Sequence, residues 1–417
     1  MLNPRRHFLK SLVGTSAAIS FSSALPELLN RSVLAADASE QTKDTVLVVV
    51  QLSGGNDGLN TLAPYADDVY GRSRTTLRLK EHEVHKIGDG LGFHPHIPQF
   101  KRLFDDGDLM VVQGVGHSNS DRDHDAALRE WHTARPGDTT CQSGWLGRTI
   151  DAVNRAEDPS VCGALVASIP KPLALGTRRV VVPSVETADQ WKLQADAPWQ
   201  DELYDAVKRS SVTSDNPLAD LVRSASLAAQ ATNEKVRAVL GQSDAANRYP
   251  SFSLAKQFRT ISELIRADLG VRIFFAEIGG GGIGGFDNHA IQKDNHAALL
   301  REFSSSVAAF VDDLKQQNLL SRVLMMSFSE FGRTVSENGR HGTGHGAAAP
   351  VFLAGGKLKG GLFGKHPDLS DLDQDAPKHH IDYRQVYATA LDRWLGFPSD
   401  VVLGTQYSPL DLFVAPL

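Results

Sequence analysis

The sequence predicts an α/β protein built on one mostly parallel, doubly wound sheet, and three observations carry that expectation. Continuous apolar runs rich in β-branched residues recur at Thr45 to Leu52, Leu109 to Val115, Val271 to Ile278 and Arg322 to Phe328, as strands covered on both faces require. Helix-forming segments stand between them. Each run stops at glycine, carboxylate or histidine, the residues that ligand sites use beyond the carboxyl ends of such strands.

Length and composition set the bounds. A chain of 417 residues with 41% hydrophobic and 22% charged residues buries a large core. The net charge of -6 and pI near 6.2 provide no basic field, which removes nucleic acid from the expected partners. Cys141 and Cys162 are the only cysteines, so a cysteine zinc cluster and a dense disulfide framework are excluded. One bridge between them and two free thiols both remain open at this point.

At the N-terminus, Arg5-Arg6-His7-Phe8-Leu9-Lys10 precedes a mildly apolar stretch, Ser11 to Leu29, and small residues at Ala35 and Ala36. This is the layout of a twin-arginine export signal over residues 1–36, followed by a polar linker at 37–44. The expected partner is the twin-arginine export machinery, and the expected location is periplasmic or secreted. The Gly/Ser/Ala-rich stretch is too weakly hydrophobic to leave a stable membrane span after processing. The remainder, 45–417, reads as a single domain.

In chain order, the first strand, TVLVVVQL, ends in Ser53-Gly54-Gly55-Asn56-Asp57-Gly58, where glycines permit a tight turn and Asp57 is delivered at the strand end. An Asp between Asn and Gly is also an ordinary turn residue. Ile97 to Phe104 predicts a short helix and Leu109 to Val115 the second strand. Gly116 to His124 then leads into a helix over Asp125 to Thr133, bringing Ser118, Ser120 and Asp123 to a helix entrance where unpaired N–H groups favour an anion or an ionised nucleophile. Ser, Asn and Asp are equally the commonest caps there.

Gly144 to Arg155 predicts a further helix, and Val161 to Ile169 with Arg179 to Val182 more strand. A helical excursion covers about 189–269, including Pro217 to Leu240 and Ser253 to Asp268. The glycines from Gly279 to Gly285 formally contain GxGxxG, but they lead to Asp287 and His289 and no acidic residue closes a following strand, so dinucleotide binding is set aside. Lys293 to Gln317 predicts a long amphipathic helix. The segment after Phe328, SEFGRTVSENGRHGTGHG, reads as loop, carrying Glu330, Arg333 and His345. Ala349 to Ala354 is another strand, Lys357 to Gly364 a turn, and Asp382 to Leu395 a helix with Tyr383, Tyr387 and Trp394 on its core face.

One parallel sheet brings Asp57, Asp287, His289, Glu330 and His345 to one edge. Carboxylates mixed with imidazoles suit zinc, manganese or iron better than magnesium or calcium, and a polar hydrogen-bonded network is the other reading. In the metal reading these five residues are ligands of one or two divalent ions. Arg333 is then the expected clamp for an anion, since its planar fork suits a tetrahedral oxyanion.

The twin-arginine start, LSGGNDG, GWLGR at Gly144 to Arg148, FDNH, SEFGRT and HGTGHG together resemble an exported bacterial family, domain of unknown function 1501, similar in fold to alkaline phosphatases and sulfatases. The resemblance covers Thr45 to about Leu395. It implies a three-layer, alkaline-phosphatase-like fold, strand-end ligands for metal, and a small anionic phosphate or sulfate ester as substrate. The sequence departs from the family at Gly344, where Asp is usual, and at Asp123, where Ser is usual. The expected function is a metal-dependent hydrolase of such esters, with Ser118 or Ser120 as nucleophile or Asp123 as a base acting on water. The alternative is a non-catalytic periplasmic binding or accessory module on the same fold.

Overall fold

Val46–Leu52 runs through the middle of the sheet because all of its side chains are buried. Alternation sends Val46, Val48, Val50 and Leu52 into one core and Leu47 and Val49 into another. The first core is closed by helices Pro98–Asp105, Ser253–Arg266 and Gln292–Gln316, through residues such as Phe100, Phe258 and Phe303. The second is closed by His124–Thr133, Trp145–Arg155 and the segment from Tyr383 to Leu395, through Trp131, Trp145 and Trp394. Three layers result, with the sheet between two sets of helices.

The computed structural model describes residues 45–155, 162–165, 171–178, 182, 248–268, 270–279 and 285–414. The expected export signal, the linker, most of the helical excursion, most of the Arg179 to Val182 strand and the glycines at 280–284 lie outside the described residues. Among the described residues no helix is long and apolar enough to cross a membrane. Among the described residues Cys141 is a free thiol.

The sheet order is Gly361–Phe363, Leu109–Gly116, Ala349–Gly355, Val323–Phe328, Val46–Leu52, Val271–Ile278 and Cys162–Leu165, with Ile381–Asp382 also beside Leu109–Gly116. Val46–Leu52 pairs parallel with both neighbours. The expected strand at Ala349 to Ala354 is present but antiparallel to both of its neighbours. The reason is the connection: no helix intervenes after Phe328, and a parallel return would need a crossover. The stretch after Phe328 is likewise not all loop, since Arg333–Glu337 and Thr343–His345 form an antiparallel ribbon in which His345 lies opposite Arg333. The turn expected at Lys357 to Gly364 contains a strand, Gly361–Phe363, that extends the sheet edge.

Aromatic stacking fixes the helix that faces the site. Trp131 stacks on Tyr383 at 4.4 Å between ring centroids, and Trp145 on Tyr387 at 4.1 Å. The Tyr383 hydroxyl donates to Glu130 O at 2.9 Å and the Tyr387 hydroxyl to Trp131 O at 3.1 Å. Both bonds satisfy a buried phenol and hold the His124–Thr133 helix against the segment from Tyr383 to Leu395.

Buried histidines give the fold a pH dependence. Burial pushes His132 and His296 down to about 4, His132 with its Nε2 2.6 Å from Gln51 Oε1 and His296 with its Nε2 3.0 Å from Asn56 Oδ1. Both are neutral when folded and take up a proton near pH 6.5 when unfolded. The unfolded chain therefore binds more protons between about pH 6.5 and pH 4, and stability falls as pH is lowered through that window. Urea midpoints should be nearly flat above pH 7 and drop between pH 6.5 and 4.5. His132→Gln, which keeps a donor toward Gln51, should show a shallower drop; an equal slope in the variant overturns the assignment.

Candidate metal centre

Four strand ends converge at the carboxyl edge of the sheet. Val46–Leu52 delivers Gly54 and Gly55, Leu109–Gly116 leads to His124, Val271–Ile278 to Asp287 and His289, and Val323–Phe328 to Glu330 and Arg333. The ribbon returns His345 to the same place. Close backbone approach is what Gly54 provides: at φ +111°, a Cβ there would lie 2.4 Å from Asp287 N.

His124, Asp287 and His345 each offer a ligand atom, and these atoms lie within 4.8 Å of one another. His289 stands beside them, its Nε2 2.9 Å from Asp287 Oδ1 and 2.8 Å from His345 Nε2. The two imidazoles that flank Asp287 have their far nitrogens fixed. His345 Nδ1 lies 2.6 Å from Arg122 O, and a carbonyl only accepts, so Nδ1 carries the proton and Nε2 presents a lone pair. His124 Nδ1 lies 2.9 Å from Glu330 Oε1. Its Nε2 is buried, makes no hydrogen bond, and stands 3.4 Å from Asp287 Oδ2.

That buried, unpartnered nitrogen is the test of whether a metal fits. Two or three imidazole nitrogens and one carboxylate, with His124 held from behind by a carboxylate and His345 by a carbonyl, match the donors and outer partners of a zinc or manganese site. Among the described residues this is the one such cluster.

Charge at the centre is set by Arg333, which is 2% exposed. Burial alone would raise the Asp287 carboxyl; hydrogen bonding and charge from Arg333, with His289 and His345, override it and take Asp287 down to about 2. Glu330, hydrogen-bonded to His124, raises that imidazole above its ordinary value against the effect of burial. His289 is lowered, first by burial, with Arg333, His345 and Arg340 adding to it against Asp287.

The sequence-derived site residues divide accordingly. Asp287, His289 and His345 are brought together. Glu330 is 1% exposed, and its Oε1 accepts from Gly54 N at 2.8 Å as well as facing His124, so it backs a histidine where a ligand role was expected.

Asp57 is committed elsewhere. Its carboxylate pairs with the fully buried Arg74 at 2.6 Å, accepts from Gln292, and caps the Gly58–Thr61 helix. Burial would raise the Asp57 carboxyl, yet Arg74 holds it below the ordinary range, and a cation beside that guanidinium would be repelled.

Arg333 is no free clamp. It donates to Gly54 O, to Gly55 O at 2.7 Å, Phe286 O at 3.0 Å, Thr343 O at 3.1 Å and Asp287 Oδ1 at 2.7 Å. Asp123 caps its helix, accepting from Asp125 N at 3.1 Å and Ala126 N at 3.2 Å. Ser118 is exposed and Ser120 half-buried in the preceding turn. Among the described residues neither hydroxyl hydrogen-bonds to the cluster. Sequence reasoning missed His124 as a candidate ligand, although a histidine directly after a capping Asp, at a helix start that follows a strand, was the available signal.

The fold and this site define a three-layer α/β protein with a histidine–carboxylate centre at the sheet edge. Residues 109–404 match the family described as "Protein of unknown function (DUF1501)", and the chain belongs to that family. The match includes His124, Asp287, His289, Glu330 and His345 and leaves out Asp57. No curated protein matches the chain.

Similar solved structures include the C-terminal periplasmic domain of EcEptC from Escherichia coli, in complex with Zn. It is 11% identical with a TM-score of 0.37, over 77% of this chain and 75% of that one. The PsFucS1 sulfatase from Pseudoalteromonas sp. is 14% identical with a TM-score of 0.38, over 93% of this chain and 74% of that one. A mutant of alkaline phosphatase PafA is 9% identical with a TM-score of 0.35, over 71% of this chain and 64% of that one. Likenesses this distant do not bear on the site.

Asp57 and Glu330 separate the structural from the ligand-backing role. Asp57→Ala leaves Arg74 buried and unpaired, which should destabilise by about 3–5 kcal/mol while zinc content per folded protein stays the same. Glu330→Gln should instead weaken zinc binding by roughly 10- to 100-fold. Denaturant unfolding and metal titration decide between them; loss of zinc in folded Asp57→Ala returns Asp57 to the ligand set.

Proposed function

We propose that this chain is an exported, metal-dependent hydrolase of phosphate or sulfate esters, with His124, Asp287 and His345 as the metal-holding set and His289 beside them. The observation that carries the reading is the buried, unpartnered Nε2 of His124 facing Asp287, with His345 presenting its own Nε2 to the same carboxylate. Zinc or manganese suits these donors better than magnesium or calcium. When bound, such an ion supplies Lewis acidity toward an ester oxygen.

The chain's own residues do the positioning. Glu330 and the Arg122 carbonyl hold the protons on the far nitrogens of His124 and His345, and Arg333 keeps Asp287 ionised and in place. With Asp123 engaged as a cap and neither Ser118 nor Ser120 hydrogen-bonded to the cluster among the described residues, water is the nucleophile this arrangement favours over a serine. The lack of a serine hydroxyl bonded to the centre among the described residues favours, as a second reading, a module that binds an anion without turning it over.

Turnover of aryl phosphate and aryl sulfate decides between the two. The zinc- or manganese-loaded protein should hydrolyse at least one ester class without a burst, a chelator should abolish turnover, and His124→Ala or His345→Ala should lower it by at least about 100-fold. Anion binding without turnover favours the second reading.

Export is tested separately. Replacing Arg5 and Arg6 together with Lys should leave the precursor in the cytoplasm on cell fractionation, and processed double variant in the periplasm would remove the twin-arginine assignment.

A further inference from the structure

The geometry points to a separate binding site, apart from the histidine–carboxylate cluster: a recess at Gln113 and His366 that takes the hydroxyl end of a small neutral alcohol.

A break in the sheet makes the recess. Val112 pairs with Val351 and Val115 with Ala349, so Gln113 and Gly114 together stand opposite Pro350 alone. Pro350 has no N–H to give the ladder, and Gly114 takes up the extra residue at φ +60°. Such a bulge re-aims the side chain it carries, here Gln113, the one polar side chain in a strand that is buried along its whole length. Leu59, Leu62, Pro350, Pro367 and Pro377 supply apolar walls, and Arg333 also lines the space, which is about 360 Å³ counting its open mouth. Gly58 lets its helix close against the strand, since a Cβ there would lie 2.4 Å from Pro350 Cδ.

Gln113 and His366, which both line this recess, each bring an acceptor without a partner. Gln113 Nε2 donates to Gly364 O at 3.1 Å. A carbonyl only accepts, so the amide nitrogen is the atom turned to Gly364 and the oxygen is the atom left over. Gln113 is 4% exposed, and its Oε1 is buried and makes no hydrogen bond among the described residues. His366 Nδ1 lies 3.0 Å from Pro367 O, so by the same reasoning Nδ1 carries the proton and Nε2 keeps its lone pair. Among the described residues no hydrogen bond reaches that Nε2. Burial lowers the affinity of His366 for a second proton, against the Pro367 carbonyl and Asp67.

Two lone pairs in an apolar recess call for a donor. An anion would meet both lone pairs and a cation would meet the charge of Arg333, so the fitting ligand is neutral. An O–H group supplies the donor, and a short carbon chain lies along the leucine and proline walls. A buried acceptor left unpaired is costly, and a bound hydroxyl removes that cost, so the recess selects on the donor more than on size.

The test titrates the full chain with 2-propanol and with acetone, which has the same skeleton without the donor, and reads saturation by protein-observed NMR. 2-Propanol should bind at least about 10-fold more tightly than acetone, the worth of one hydrogen bond to an otherwise unpaired acceptor. Gln113→Met keeps the length of the side chain and removes the acceptor; it should weaken 2-propanol about 10-fold and move acetone by less than about threefold. His366→Phe, on a different segment, should act in the same direction, and it carries the comparison should Gln113→Met fail to fold. Equal affinity for the two compounds, no saturation by 2-propanol, or wild-type binding in both variants overturns the site. Ester turnover is not read in this experiment, so its failure and the failure of the hydrolase reading are separate results.

Discussion

The buried guanidinium of Arg333 is the interaction on which the rest of the site depends. It gathers the carbonyls of Gly54, Gly55, Phe286 and Thr343 and the carboxylate of Asp287, thereby joining the turn after Val46–Leu52, the turn after Val271–Ile278 and the ribbon that carries His345. Gly54, Gly55 and Phe286 lie outside any strand ladder, and Thr343 starts the short second strand of the ribbon. Their carbonyls are satisfied by a side chain, and a charged donor does this with bonds stronger than neutral ones. Leaving them unpaired in a closed interior would cost about 1–3 kcal/mol each. Arg333 therefore organises backbone and sets the charge of Asp287 in a single placement.

A second buried guanidinium repeats the device one step away. Arg74 pairs with Asp57 and donates to Val335 O at 3.0 Å and Thr334 O at 2.8 Å, so it ties the ribbon to the first turn from the other side. His345 is thus carried by a two-stranded element fixed at both ends. Its Nδ1 is turned toward Arg122 O, and His124 is turned by Glu330. Imidazoles oriented from behind in this way lose little freedom when their front nitrogens are engaged, which is the physical content of a preorganised centre.

Much of the fold was legible in the sequence because its strands are buried on both faces, and such strands leave continuous apolar runs: Val271 to Ile278 was delimited to the residue and Leu109 to Val115 to within one. Direction was less legible. Ala349–Gly355 looks like any other core strand, and only the lack of a helix after Phe328 tells that it returns antiparallel. The ribbon from Arg333 to His345 was hidden because its alternation is short and broken by glycine.

For the site, position at a strand end identified the neighbourhood but not the task. Asp57 and Asp287 follow strands in the same way, yet one meets the guanidinium of Arg74, 17 residues on, and the other faces imidazoles. Asp123 and His124 are adjacent, and the one that drew attention as a charged group is the cap while its neighbour faces Asp287.

What distinguishes the two carboxylates is how each is balanced against its cation. Asp57 and Arg74 are both buried, so their charges cancel in place and neither is available to a third partner; the pair is architecture. Asp287 is held by an arginine that is 1% exposed in its side chain, while its own side chain is 43% exposed. The cation is sequestered and the anion faces outward toward His124, His289 and His345. A carboxylate kept ionised from within the protein, and left open on the side where imidazole nitrogens converge, can be completed by a cation from solvent in a way that the Asp57 pair cannot. That asymmetry in burial, more than the presence of Asp or His at a strand end, marks this edge of the sheet as the candidate site.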